Sequence, residues 1–354
     1  MAEAKQIQAL EQERIPRLLF HYAVPAVVGT VVNSLYNIVD RVFIGQGVSE
    51  YALSGLAITF PILIFLQAFG MLVGAGASVR VSILLGQRDT RRAEQTLANA
   101  VYLTLITQVL TIIPCYIYME PLLRLFGASD RTLPYAVEYL RIVIPANFFA
   151  AFSFGYNAIM RASGYPRKAM TTMILSALIN VVLDYVFIYP LGMGIRGAAI
   201  ATAIAMVICA VYVLSHFFLP SSVVRFRRAA FTPSWAIVRA ITAIGVAPFA
   251  MQLTGSVVNV IMNRSFVAYG TTPEESDLAI GAFGIINSYA MLIFMLILGV
   301  AQGMQPIVGF NYGARHMRRV RTAFAYSCAT NLLFSFAGFA VAELAPRAIV
   351  SLFT

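Results

Sequence analysis

The stretch PRLLFHYAVPAVVGTVVNSLYNIVDRVFI, residues 16–44, is apolar for long enough to cross a bilayer and carries a single carboxylate, Asp40, deep inside it. A second stretch, SALINVVLDYVFIYP from Ser176 to Pro190, does the same with Asp184. An acidic residue at mid-helix costs roughly 2.5 to 3.5 kcal/mol even on lenient insertion scales. Residues retained at that cost usually serve an ion or proton path, so a transporter is the first expectation.

The rest of the chain has the same character. Sixty per cent of its 354 residues are hydrophobic and only 11% are charged, whereas soluble proteins carry roughly a quarter charged. Apolar windows of about twenty residues give nine spans, roughly 16–44, 51–79, 93–118, 134–160, 168–190, 195–219, 235–269, 278–305 and 319–342. A tenth apolar run starts at Pro346. The chain therefore reads as an all-α polytopic membrane protein. The polar first fifteen residues precede no small-residue cleavage site, so a retained N-terminus without a secretory signal is expected. Cys115, Cys209 and Cys328 lie apart in apolar segments, without metal spacing or a disulfide framework.

The net charge of +10 resides in short loops rather than on a nucleic-acid-binding face. Lys5, Arg14 and Arg17, then Arg80 to Arg92, Arg161 to Lys168, Arg225 to Arg239 and Arg315 to Arg321 hold 18 of the 25 basic residues. They alternate with acidic loops such as Ser49-Glu50 and Thr271 to Asp277. By the positive-inside rule the N-terminus faces the cytoplasm, and the expected location is the plasma (inner) membrane.

The segment from Val24 to Arg92 recurs. Pro25 and Arg41 match Pro248 and Arg264 at one offset, while Ala52, Gly76, Gly86, Arg88, Arg91 and Arg92 match Ala279, Gly303, Gly313, Arg315, Arg318 and Arg319 at another. The slip between offsets falls in a loop, and both copies end in a basic loop, which indicates a parallel duplication. The expected organisation is a cytoplasmic segment 1–15, a six-helix bundle 16–220, a cytoplasmic linker 221–234 and an incomplete second bundle 235–354. A parent of twelve helices in two six-helix bundles follows as an expectation, with cargo between the bundles.

Helical rise places the polar residues in depth. Asp40 lies five residues before Gly45, Asp184 six before Pro190, and Thr202 eight after Gly194, so all three sit roughly 8 to 12 Å inside the outer boundary. Asn180 shares the Asp184 face, one turn away. Two carboxylates, an amide and a hydroxyl at one level suit protons or a hard cation such as Na⁺. The competing reading is a paired carboxylate bonded to a neighbouring helix, with Arg41 as a partner for Asp40. Pro25 removes a backbone hydrogen bond from the first span and is a candidate hinge. Candidate cavity residues are Asn33 and Tyr36 from the first span and Met251, Phe283, Asn287 and Met291 from the seventh and eighth, since thioethers and rings accept varied apolar or cationic shapes. The duplicate of Asp40 is Asn263, and the last three spans contain no acid. Enzyme readings find no support: His21, His216 and His316 stand apart in the chain, and neither a phosphate loop nor a nucleophile beside a base occurs.

The motifs NSLYNIVDRVFIG (33–45), GAGASVRVSILLGQRD (74–89), RASGYPRKAM (161–170) and INVVLDYVFIYPLGMGIRGAAIATAIA (179–205), in this order, resemble the multidrug and toxic compound extrusion (MATE) family and its DinF/MepA-like branch. The resemblance implies a secondary antiporter of two six-helix bundles in a V, here truncated to about nine spans. It would exchange H⁺ or Na⁺ for bulky, often cationic organic compounds and need no cofactor beyond that ion. It implies ion coupling at Asp40, Asn180, Asp184 and Thr202, a bending role for Pro25, and a further ion-coupling residue in Asn157, which the span boundaries put near the cytoplasmic end. Expected partners are small organic cations or drugs and membrane lipid, with no nucleic acid, and the expected state is a monomer. The chain departs from the NorM-like branch in lacking acids in spans seven and eight. A lipid-linked oligosaccharide flippase of the same superfamily is the alternative, but it would need several cavity arginines, and Arg41 and Arg264 are the only candidates. A membrane receptor or assembly factor without transport is the third reading.

Overall fold

A computed structural model describes residues 8–269 and 273–346, apart from the side chains of residues 50, 256, 259–260, 263–264, 266–285 and 287–288. With no water inside a bilayer to bond peptide groups, each span must satisfy its own backbone. Among the described residues all regular structure is helical, and nine helices are long and apolar enough to cross a membrane. They are α1 (Ile15–Gly47), α2 (Glu50–Gly86), α3 (Thr90–Ile117), α4 (Leu133–Ala162), α5 (Pro166–Ile188), α6 (Gly194–His216), α7 (Trp235–Tyr269), α8 (Pro273–Gly313) and α9 (Met317–Leu344). A short helix, Met119–Leu125, lies between α3 and α4.

Local chemistry sets the ends. Ser49 accepts the Ala52 N–H at 3.1 Å and Asp89 accepts the Arg92 N–H at 2.9 Å, so side chains cap α2 and α3. α2 and α8 both close with a left-handed residue, Arg88 and Arg315 at φ 61°. A 6→1 capping bond follows each, Asp89 N–H to Leu84 O and His316 N–H to Asn311 O. The hydropathy windows cut both helices short: α2 runs on to Gly86, and α8 spans 41 residues rather than the expected 278–305. A helical backbone bonds itself, so α8 continues for roughly 60 Å, well past its apolar run.

The first six helices pack on one another, α7 packs on α2, α8 on both α1 and α2, and α9 on α8. Two buried cores result. One lies toward the end that bears the basic loops and draws Ile237, Ile241, Ile307, Phe310 and Ala323 into a cluster with Leu18, Leu84 and Leu97. The other, around Ile44, Leu56, Leu140, Ile188 and Ile195, comes from the first six helices and the short helix alone. The two halves are thus joined at the basic end.

Backbone contact makes that seam. A Cβ on Gly86 would meet Phe310 O at 2.0 Å, and one on Gly313 would meet Ile83 O at 2.0 Å. These are duplicate positions, so the crossing is two-fold in character. Gly76 lies likewise on Ile241 O and Gly245 on Leu72 O.

The segment joining the halves, read as a linker, is anchored to the first six helices. Glu94, almost buried, pairs with Arg227 at 2.9 Å. Asn99 donates to Thr232 O at 3.1 Å and accepts the Ser234 N–H at 2.8 Å. The Tyr102 hydroxyl donates to Phe231 O, and His216 lies 3.3 Å from Ser222 Oγ. These bonds fasten the segment to the first six helices, so it is not a loose tether. Replacing Asn99 with alanine should leave two backbone groups unpaired, costing about 1–3 kcal/mol. The expected readout is faster tryptic cleavage at Arg225, Arg227 and Arg228 with little change in helix content.

Candidate functional site: a buried carboxylate pair

Close approach of α1 to α5 along its length builds the site. Gly29 leaves room for the Met173 thioether, and Gly47 lies against Ile188 and Tyr189, where a Cβ would come within 2.5 Å of a neighbouring atom in each case. Between these contacts α1 presents Asp40 to Asp184 of α5. Both carboxylates are buried, Asp40 at 8% exposure and Asp184 at 0%, and the two groups are within hydrogen-bonding reach of each other. No protein donor reaches Asp40 Oδ1 or either oxygen of Asp184. Three buried acceptors without a protein donor call for a partner from outside the chain, and a proton, a cation or an ordered water can each supply one.

Asn180, 2% exposed, donates to Thr202 Oγ1 of α6 at 3.2 Å, leaving its own buried oxygen without a donor. Asn180 lies one helical turn from Asp184 on α5 and links that helix to Thr202. Tyr36 lies close enough to sense both aspartates. Sequence reasoning missed Tyr139 of α4, which is buried, reaches Thr202, and senses both aspartates as well. Depth from the helix end could have flagged it, but an aromatic residue in an apolar span carries no signal of its own.

Other candidates fall elsewhere. Asn157 donates to Ala169 O at 2.8 Å and to Thr172 Oγ1, and accepts from Arg161 at 3.2 Å. It belongs to a separate polar cluster between α4 and α5 near the basic end, about four helical turns from Asp184 along the bundle. Its donors are spent on the α5 backbone and side chains. Arg41 does not pair with Asp40; its guanidinium sits over the Phe60 ring, 4.6 Å from the centroid. Pro25 is buried within α1, which runs unbroken through it. Asn33 and Met251 are exposed, as is Met291. The side chains of Phe283 and Asn287 lie outside the described residues, as do those of Asn263 and Arg264. His216, isolated in sequence, packs edge-on to Tyr165 with ring centroids 4.6 Å apart, in a structural contact. Among the described residues no cluster of His, Cys, Asp and Glu forms a metal-binding set of three.

The MatE family model matches residues 25–186 and 242–354. The multidrug export protein MepA of Staphylococcus haemolyticus (strain JCSC1435) is 26% identical over 350 residues, covering 99% of this chain and 76% of that protein. A multidrug-resistance MATE family transporter of the MOP superfamily, solved in an outward-facing conformation, superposes with a TM-score of 0.91 at 27% identity, over 99% of this chain and 76% of that one. A MOP superfamily transporter from Pyrococcus furiosus Vc1 (DSM3638), whose binding pocket of reversed polarity suggests a different function, gives 0.90 at 27% identity, with the same coverages.

Proposed function

Because the chain belongs to the MATE family of membrane transporters, a family without enzymatic chemistry, we propose that it is a secondary active multidrug efflux antiporter whose coupling ion, H⁺ or Na⁺, binds at Asp40 and Asp184. The observation that carries this reading is the set of three buried carboxylate oxygens that no protein donor satisfies. A proton shared by the pair, or a Na⁺ held with Thr202 and Asn180 oxygens, would supply the missing partner.

Coupling would run through α1. One face of that helix carries Asp40 against α5, and another packs on α8, where Thr30 donates to Met295 O at 3.1 Å. Occupancy of the pair draws α1 toward α5, and Pro25, lacking an N–H, lets the helix bend between the ion site and the seam. A bulky organic cation between the halves, near Asn33, Tyr36, Met251 and Met291, would then bind one access state better than the other, which is the only way it can drive exchange. The basic end, closed here, is taken as cytoplasmic by the positive-inside rule, with the protein in the plasma membrane and functional as a monomer. The flippase alternative needs a cationic cavity; Arg41, held over Phe60, does not supply one.

The test is efflux of a fluorescent organic cation from liposomes containing the purified protein, with H⁺ and Na⁺ gradients imposed separately. Export driven by one gradient and abolished by its collapse is expected. Flux indifferent to both gradients would overturn the antiport mechanism.

A further inference from the structure

Residues 8–14 lie across the closed basic end. We propose that this N-terminal segment is a strap that binds only when the two halves meet there, and so holds the transporter in its cytoplasm-closed state. Residues 8–12 form one helical turn, and Leu10 is 1% exposed. The Leu10 side chain is part of the buried core at the basic end, a core that draws on both halves, with Leu84 and Leu85 from α2 and Ile307 and Phe310 from α8. Arg319 of α9 donates to Leu10 O at 3.2 Å and to Glu13 O at 2.8 Å, and Asn311 of α8 donates to Leu10 O at 3.4 Å. From the first half, Arg88 pairs with Glu11 at 3.1 Å.

The two copies of the duplicated sequence differ at this point. Arg92 and Arg319 are counterparts, yet they do different work. Arg92 follows Asp89 and pairs with it at 3.4 Å, remaining in its own turn. In the second copy His316 stands where Asp89 stands in the first, and Arg319 has no such carboxylate beside it. Its Nε instead binds Asn311 Oδ1 at 2.8 Å, which frees the rest of its fork for the strap. Asn311 is itself a departure, since its counterpart in the first copy is Leu84. It is 0% exposed, which an asparagine tolerates only when its amide is bonded. Both changes are local to the second copy, and both serve the segment at the N-terminus.

The contacts are unequal. The Arg88 side chain is 77% exposed, so water screens its pair with the half-buried Glu11 and the pair contributes little. The buried Leu10 and the charge-assisted bonds of Arg319 to two carbonyls carry the latch. A segment biases an equilibrium by its differential affinity for the two states, and here the core that buries Leu10 is parted when α2 and α8 separate.

The inference rests on the alternating-access reading, but its test needs neither substrate nor ion. Spin labels introduced as non-canonical amino acids at the exposed duplicate positions Arg91 and Arg318, with the three native cysteines retained, report the distance across the basic end. In Leu10→Asp and Arg319→Gln the separated population should rise about tenfold, and in the control Arg321→Gln it should not change. If Arg319→Gln fails to fold, removal of residues 2–10, which lie outside every span, gives the same readout. A separated population unchanged within about twofold in folded Leu10→Asp and in the truncated protein would overturn the strap. Absent gradient-driven flux, whatever the distances, would instead overturn the antiport reading.

Discussion

Gly313→Ala is expected to push the protein out of its cytoplasm-closed state and to cut transport by more than tenfold, and Gly86→Ala should do the same. A methyl at either position would sit 2.0 Å from a carbonyl oxygen of the facing helix, where carbon and oxygen normally stay roughly 3.3 Å or more apart. The obstacle is backbone, so no side-chain rotation relieves it and the crossing must widen. Overpacking of this kind costs about 1–3 kcal/mol, occasionally more, which corresponds to a population shift of roughly five- to a hundredfold. Alanine favours helix over glycine, so each chain half should fold at least as well as before. Spin-label distances across the basic end would report the opening directly. Gly255→Ala serves as control, since a Cβ there meets nothing within 4 Å. The double variant should cost less than the sum of the singles, because the first methyl has already parted the crossing that the second would clash with. Wild-type distances in both single variants would refute the seam as described.

Asp184→Asn, and Asp40→Asn likewise, should abolish uphill transport, about a hundredfold or more, while the protein folds with undiminished stability. Two carboxylates pressed together without a donor are stable only with a proton or cation between them. An amide at position 184 keeps the shape, donates to Asp40 and removes one negative charge, so it imitates the loaded site permanently. The ion can then neither be released nor reloaded, and the coupling step stops. Thermal unfolding in detergent should show a midpoint equal to or above wild type, whereas most substitutions at a 0% exposed position lower it. Gradient-driven efflux retained at near wild-type rate in Asp184→Asn would place the coupling ion elsewhere.

The contrast between these sites bears on what a membrane sequence discloses. Asp40 and Asp184 stand out in the sequence because lipid penalises charge steeply. The seam glycines do not stand out, since glycine is common in membrane helices for many reasons. Gly86 and Gly313 are visible only as matched positions in a repeat, and nothing in the repeat says that they face each other's backbone. Asn157 is a different case: the family resemblance suggested it for ion coupling, the span boundaries put it near the cytoplasmic end, and its side chain bonds Thr172 and Arg161 there.

What the sequence by itself determined is everything that the bilayer dictates along one axis. The nine spans follow from run lengths, and the level expected for Asp40, Asp184 and Thr202 from a fixed rise per residue. Only the tertiary structure decided what depends on rotation about each helix axis and on which helices become neighbours. Tyr139 beside Thr202, Arg41 on Phe60 rather than on Asp40, the linker fastened by Asn99, and Leu10 buried in the core at the basic end all belong to this second kind. The physical reason is that hydropathy measures distance from water, which is a depth, whereas helices in lipid choose partners by shape and hydrogen bonding, for which lipid supplies no gradient to read.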